Sequence, residues 1–162
     1  MIPTETDIAR IAAGVLDRTH PYAEWTHAAH FAAALWLLRH PEVLLGRGGM
    51  EPIIRRYNEA VGVPNTATRG YHATITEASL RATTHALAEA GAGAPLAPIL
   101  AALLASPLGR SRWLLAHWSE PRLMSLEARR GWLEPDLAAL PYPPISAELL
   151  VSTVPNTSPV RA

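Results

Sequence analysis

The chain has 162 residues, enough for one domain with a buried core. Its fourteen basic residues, all arginine, balance fourteen acidic ones and are scattered along the chain, so the concentrated positive face of a nucleic-acid binder is missing. Cysteine is absent, which excludes disulfides, thiol nucleophiles and thiolate metal sites; a metal would have to be held by imidazole, carboxylate or main-chain oxygen.

Near the N-terminus, Ile8, Ile11, Ala12 and Val15 recur at the spacing of an amphipathic helix over residues 7–16. The first residues carry acids where a signal peptide carries basic residues, and no apolar run approaches the roughly 20 residues of a membrane span, so a soluble, cytoplasmic protein is expected. After a turn at Thr19-His20-Pro21 comes Glu24-Trp-Thr-His27-Ala-Ala-His30, running into Phe31–Leu38. This is the most apolar helix of the chain, and it ends near His40, where Pro41 disfavours helical geometry in the preceding residue. Because its middle is apolar all round, it should be covered on most sides. Its start admits two readings: Thr26 as N-cap, or an earlier start near Thr19 and Pro21, which alone would bring Glu24 to the side of His27.

Gly46, Gly48 and Gly49 predict a flexible connection to a third helix with Pro52 in its first turn, burying Ile53, Ile54, Tyr57 and Val61. Residues 64–70 read as a loop. A further helix, opened by Tyr71-His72, could run to Ala90, and one of its faces is small and polar: His72, Thr76, Ser79, Thr83. That face suits either a wet surface or the wall of a polar cavity. Leu96–Ala105 is an almost purely apolar helix, Ser106-Pro107 should cap another that ends around Trp118, and Ser125 should cap a short one through Trp132. From Glu134 the chain is proline-rich. No period-2 alternation argues for a sheet. The expected fold is therefore all-α, a single-domain bundle of about five to seven helices over residues 1–140 with an extended proline-rich C-terminal tail, 141–162.

Of the seven histidines, His20 and His40 read as surface or capping residues, and His85 and His117 as structural. His27 and His30 lie three apart on one helical face, at the positive end of a helix dipole beside an apolar run, where the neutral, metal-binding form of imidazole is favoured. With His72 at the head of another helix they make a candidate mononuclear site of three imidazoles with an open coordination position. One divalent transition metal is expected there, zinc in preference to copper, with Glu24 as fourth ligand or catalytic base. Tyr57, Asn58, Arg69, Tyr71 and Thr76 are candidate substrate-binding groups. No dinucleotide fingerprint, phosphate loop or nucleophile elbow is present.

Trp25-Thr-His-Ala-Ala-His30-Phe31, Tyr57-Asn58, Tyr71-His-Ala-Thr-Ile-Thr76 and Pro135-Asp-Leu-Ala-Ala-Leu-Pro141 together resemble a pattern in small, largely uncharacterised all-helical bacterial proteins. The resemblance spans residues 22–141 and implies a shared histidine site without naming a reaction. This chain has Ala73 where the pattern often has Glu, so a ligand or base at that position would have to be replaced by Glu24 or Glu77. The expectation drawn from these residues is a metal-dependent enzyme acting on a small molecule, as in a tailoring step of secondary metabolism, with homodimerisation left open and neither nucleic acid nor membrane as partner. Its rival is a metal-free helical module that binds a small ligand or another protein.

Overall fold

The computed structural model describes residues 3–152. Among these the chain is all-helical, with eight α-helical segments, four short 3-10 turns and no strand. None of the helices is long and apolar enough to cross a membrane.

Helix α1, Glu5–Asp17, opens with a capping box: the Thr4 hydroxyl accepts from the Asp7 amide, and the Asp7 carboxylate accepts from the Thr4 amide. Its apolar residues Ile8, Ile11, Ala12 and Val15 are buried, as their spacing predicts. At its end Arg18 adopts a left-handed conformation (φ 63°), and the amides of Thr19 and His20 both turn back onto the Gly14 carbonyl. That reversal folds His20 under the aromatic rings of Trp25 and Tyr57 and buries it, correcting its expected place at the surface.

Helix α2, His27–Arg39, begins at the later of the two predicted starts, with the Thr26 hydroxyl accepting from Ala29. Seven of its thirteen residues are buried, including Phe31, Leu35 and Leu37. Two apolar clusters form around it. One joins α1 and α2 to apolar residues of 78–82, 96–103 and 108–123; the other joins the end of α1 and the opposite side of α2 to Leu44, Met50, Ile53, Tyr57 and Leu80.

Ahead of the expected glycine connection, of which Gly48 and Gly49 do lie between helices, the chain forms an unexpected short helix, α3, Pro41–Gly46. Its proline occupies the first turn, where its missing N–H leaves no intrahelical bond unmade. Helix α4, Met50–Ala60, buries Ile53 and Tyr57. Helix α5, Ala73–Ala90, is capped by His72. Helix α6, Leu96–Ala105, follows Pro95 and lacks a cap of its own; the Glu5 carboxylate of α1 accepts from the Leu96 and Ala97 amides in its place.

Between Ser106 and Trp118 the predicted helix is replaced by two 3-10 turns, Pro107–Gly109 and Trp113–Ala116. Gly109 disfavours a continuous helix here, and the irregular path lets Leu108, Trp113, Leu114 and Trp118 all reach the core. Two short helices complete the count: α7, Glu120–Leu123, and α8, Leu126–Arg130, the latter capped by Ser125 as expected.

The first part of the predicted tail is docked. Leu150 accepts from the Glu51 amide at the start of α4, Ser152 donates to Gly48, and Ile145, Leu149 and Leu150 pack against the second apolar cluster. The remainder of that predicted tail, 153–162, lies outside the described residues.

Gly109 ties the 3-10 segment to α6: a Cβ there would lie 1.9 Å from the Leu104 carbonyl oxygen. Gly109→Ala is therefore expected to lower stability by about 1–3 kcal/mol in denaturant unfolding, with the backbone around Leu108 displaced. Unchanged stability would show that this approach is not tight in solution.

Candidate functional site

A cavity of about 320 Å³ opens between α2 and α5. Its apolar body comes from Ala33, Ala34 and Leu37 of α2, from Met50 and Ile54 of α4, and from Ile75 and Leu80 of α5. Trp25 borders it at the start of α2, and Trp113 and Leu114 border it from the second 3-10 turn. Its polar groups are few: His27 and His30 on α2, Thr76 and Ser79 on α5, and Ser111. Among the described residues, none carrying a permanent charge lines it.

Main-chain hydrogen bonds fix both imidazoles. His27 Nε2–H donates to the Leu108 carbonyl at 2.7 Å, with the edge of its ring packed against Phe31. His30 Nδ1–H donates to the Thr26 carbonyl at 2.6 Å, and its ring lies on that of Trp25 with centroids 3.9 Å apart. Since a carbonyl can only accept, these bonds assign the protonated nitrogen of each ring and leave His27 Nδ1 and His30 Nε2 without a partner among the described residues. His30 is exposed and borders the cavity. The loss of hydration there holds its pKa below 6.5; the Thr26 carbonyl opposes that shift, while His27 and His20 add to it.

The other predicted site residues have different places. His72 is buried and both its ring nitrogens are engaged: Nδ1 accepts from the Ile75 amide at 3.1 Å, capping α5, and Nε2–H donates to the Leu123 carbonyl at 2.7 Å. It joins α5 to the end of α7 and does not line the cavity. Among the described residues, no group of three or more His, Asp or Glu side chains is arranged to hold a metal. Glu24 is exposed in the Tyr22–Glu24 turn.

Tyr57 is fully buried, its hydroxyl donating to the His20 carbonyl at 2.7 Å. Asn58 is buried and donates to Asn65, whose side-chain oxygen also accepts from the Tyr71 amide. Tyr71 is buried beneath the Arg55 guanidinium, and desolvation raises its pKa. Arg69 is exposed in the loop. Of the five candidate substrate contacts, only Thr76 borders the cavity.

Ser111, Trp113 and Met50 were not read as site residues from the sequence. The two indoles, Trp25 and Trp113, carried a signal as large aromatic residues, but nothing in their spacing separates a cavity wall from ordinary packing. Chemically, the site offers an apolar enclosure with two imidazoles at one wall, each with a ring nitrogen able to accept a hydrogen bond from a bound molecule. No protein-family model, curated protein or solved structure matches the chain.

The His72 cap has a measurable pH signature. Desolvation, reinforced by Arg129, holds its pKa below 6.5, with the Leu123 bond opposing. The unfolded chain therefore binds this proton more readily than the folded one, and the stabilisation is complete above about pH 6.5 and lost as pH falls toward the folded-state value. His72→Asn keeps a capping oxygen but does not titrate, so its unfolding free energy should decline less between pH 7 and pH 5 than that of the parent. His72→Ala should lose about 1–2 kcal/mol at neutral pH through the missing cap and the unpaired Leu123 carbonyl. Parallel pH profiles for parent and His72→Asn would refute the assignment.

Proposed function

We propose that the protein binds a small, mostly apolar molecule in the cavity between α2 and α5, with His27 and His30 as its polar contacts. The observation that carries this reading is the cavity itself: about 320 Å³, walled by aliphatic and aromatic side chains, with both imidazoles at one wall. Enclosures of this size and lining, with a few convergent polar groups, are the usual form of small-ligand sites. His30, neutral near pH 7 and stacked on Trp25, is the group placed to orient the ligand or take a proton from it.

A second reading keeps a metal, zinc in preference to copper, on His27 Nδ1 and His30 Nε2, with water or substrate completing the shell. It is favoured by the placement of both rings on one wall, each with one ring nitrogen free of a hydrogen bond among the described residues. In this reading His72 is not a ligand, because both its nitrogens are engaged. It would make the site that of a metal-dependent enzyme.

Titration with naphthalene, followed by tryptophan fluorescence, tests the first reading. Saturable binding is expected, and Ala34→Phe, which adds a ring to the cavity wall, should weaken it roughly tenfold or more while the protein stays folded. A folded Ala34→Phe variant that binds like the parent, or a parent with no saturable binding, would overturn the cavity as the site. Elemental analysis tests the second: stoichiometric zinc or copper, lost in His30→Ala, would support it. A parent that retains neither metal and fails to bind either when added would remove it.

A further inference from the structure

Four side chains on the facing α2 and α5 walls give their protons to the main chain. His27 donates to Leu108, His30 to Thr26, the Thr76 hydroxyl to the His72 carbonyl at 2.7 Å, and the Ser79 hydroxyl to the Ile75 carbonyl at 2.8 Å. All four border the cavity. What remains toward a ligand is a set of lone pairs: His27 Nδ1, His30 Nε2 and the two hydroxyl oxygens. The other polar groups of the lining, the indoles of Trp25 and Trp113 and the hydroxyl of Ser111, belong to the flanking segments rather than to α2 or α5.

A carboxylate entering between these walls would bring acceptors against acceptors and would meet no Arg. An ammonium would find acceptors but no Asp or Glu to balance its charge. On the α2 and α5 walls the carboxylate would lose hydration that no donor replaces, and the ammonium would keep a charge that no carboxylate balances. A neutral O–H or N–H on an apolar body loses least and gains a hydrogen bond. His30 Nε2 is the acceptor best placed to take it, since the ring is held by Trp25 on one face and Thr26 at the other nitrogen.

Building on the cavity reading, we propose that the ligand is a neutral hydrogen-bond donor on an apolar body, of the phenol or alcohol class, that it donates to His30 Nε2, and that carboxylates and ammonium ions of the same shape are rejected.

The test compares four ligands of one shape at neutral pH: 1-naphthol, naphthalene, 1-naphthoate and protonated 1-naphthylmethylamine. Affinity of the full chain for each is measured by tryptophan fluorescence. Naphthol is expected to bind roughly three- to tenfold more tightly than naphthalene, the worth of one neutral hydrogen bond, with both ions weaker than naphthalene.

His30→Phe keeps an aromatic ring against Trp25, and the ratio of naphthol to naphthalene affinity should fall to about one whatever the variant does to naphthalene binding itself. In the unsubstituted protein, the nitrogen resonance of His30 Nε2 should start at the position of a bare imidazole nitrogen and move upfield with naphthol but not with naphthalene. That readout serves even where the variant fails to fold.

Equal affinity for naphthol and naphthalene would overturn the donor inference while the cavity reading stands. Binding of naphthoate or the ammonium as tight as naphthol would overturn it too, by showing that the wall donates or compensates charge. Saturable binding of none of the four would bring down both.

Discussion

Helix α2 presents no face that water solvates well, and the rest of the fold is an arrangement for covering it. Its eight residues from Phe31 to Leu38 are all aliphatic or aromatic, so α1, α5 and α6 pack on it directly while α3 folds back from its end. An amphipathic helix needs one partner; this one needs several, and each partner has only one apolar side to offer. The two clusters on opposite sides of α2 are the result. Beside Ala33, Ala34 and Leu37 a cavity remains between the covering elements. Small side chains at two of those three positions leave space that a Leu or Ile would have filled.

The same requirement explains the helix caps. A short chain with many helices has many unpaired terminal amides, and buried ends need partners that water cannot supply. Thr26 and Ser125 cap locally, which is why those two starts are legible in the sequence. Helix α6 is capped by Glu5 from another helix, and α4 begins at Gly49 with the Leu150 carbonyl accepting from Glu51. These long-range caps leave no local signature. The docking of residues 141–152 belongs to the same class: proline content suggests an extended segment, but Ala147–Leu149 form a 3-10 turn, and the contacts with α3 and α4 depend on carbonyls and scattered apolar residues that no periodicity marks.

The candidate site was legible in part for a related reason. That His27 and His30 share a face follows from helical spacing, and both do border one cavity. His72 has the same residue type and also stands at a helix start, yet there its ring is the cap itself, with one nitrogen accepting from Ile75 and the other donating to Leu123. Spacing says where an imidazole stands and not which of its two nitrogens is already taken. Tyr57 and Asn58 illustrate the point with other chemistry: their polar atoms are consumed by the His20 carbonyl and by Asn65, holding the chain after α1 and the loop before α5. A polar residue in a suggestive motif is available to a ligand only after the main chain has been served.

That priority also gives the cavity its character. An α-helical wall supplies carbonyls one turn back, and Thr and Ser side chains on it commonly donate to them, as Thr76 and Ser79 do. The hydroxyl then keeps its lone pairs and loses its proton to the backbone. Imidazoles that donate to carbonyls behave in the same way, each turning a two-faced group into an acceptor so long as the ring is neutral. Burial depresses the pKa of His30, which favours that neutral form, and the helix dipole at the start of α2 acts in the same direction. A wall built from a helix start and a Thr/Ser stripe is thus biased toward accepting hydrogen bonds before any ligand arrives, and the bias arises from the same backbone bonds that make the helices.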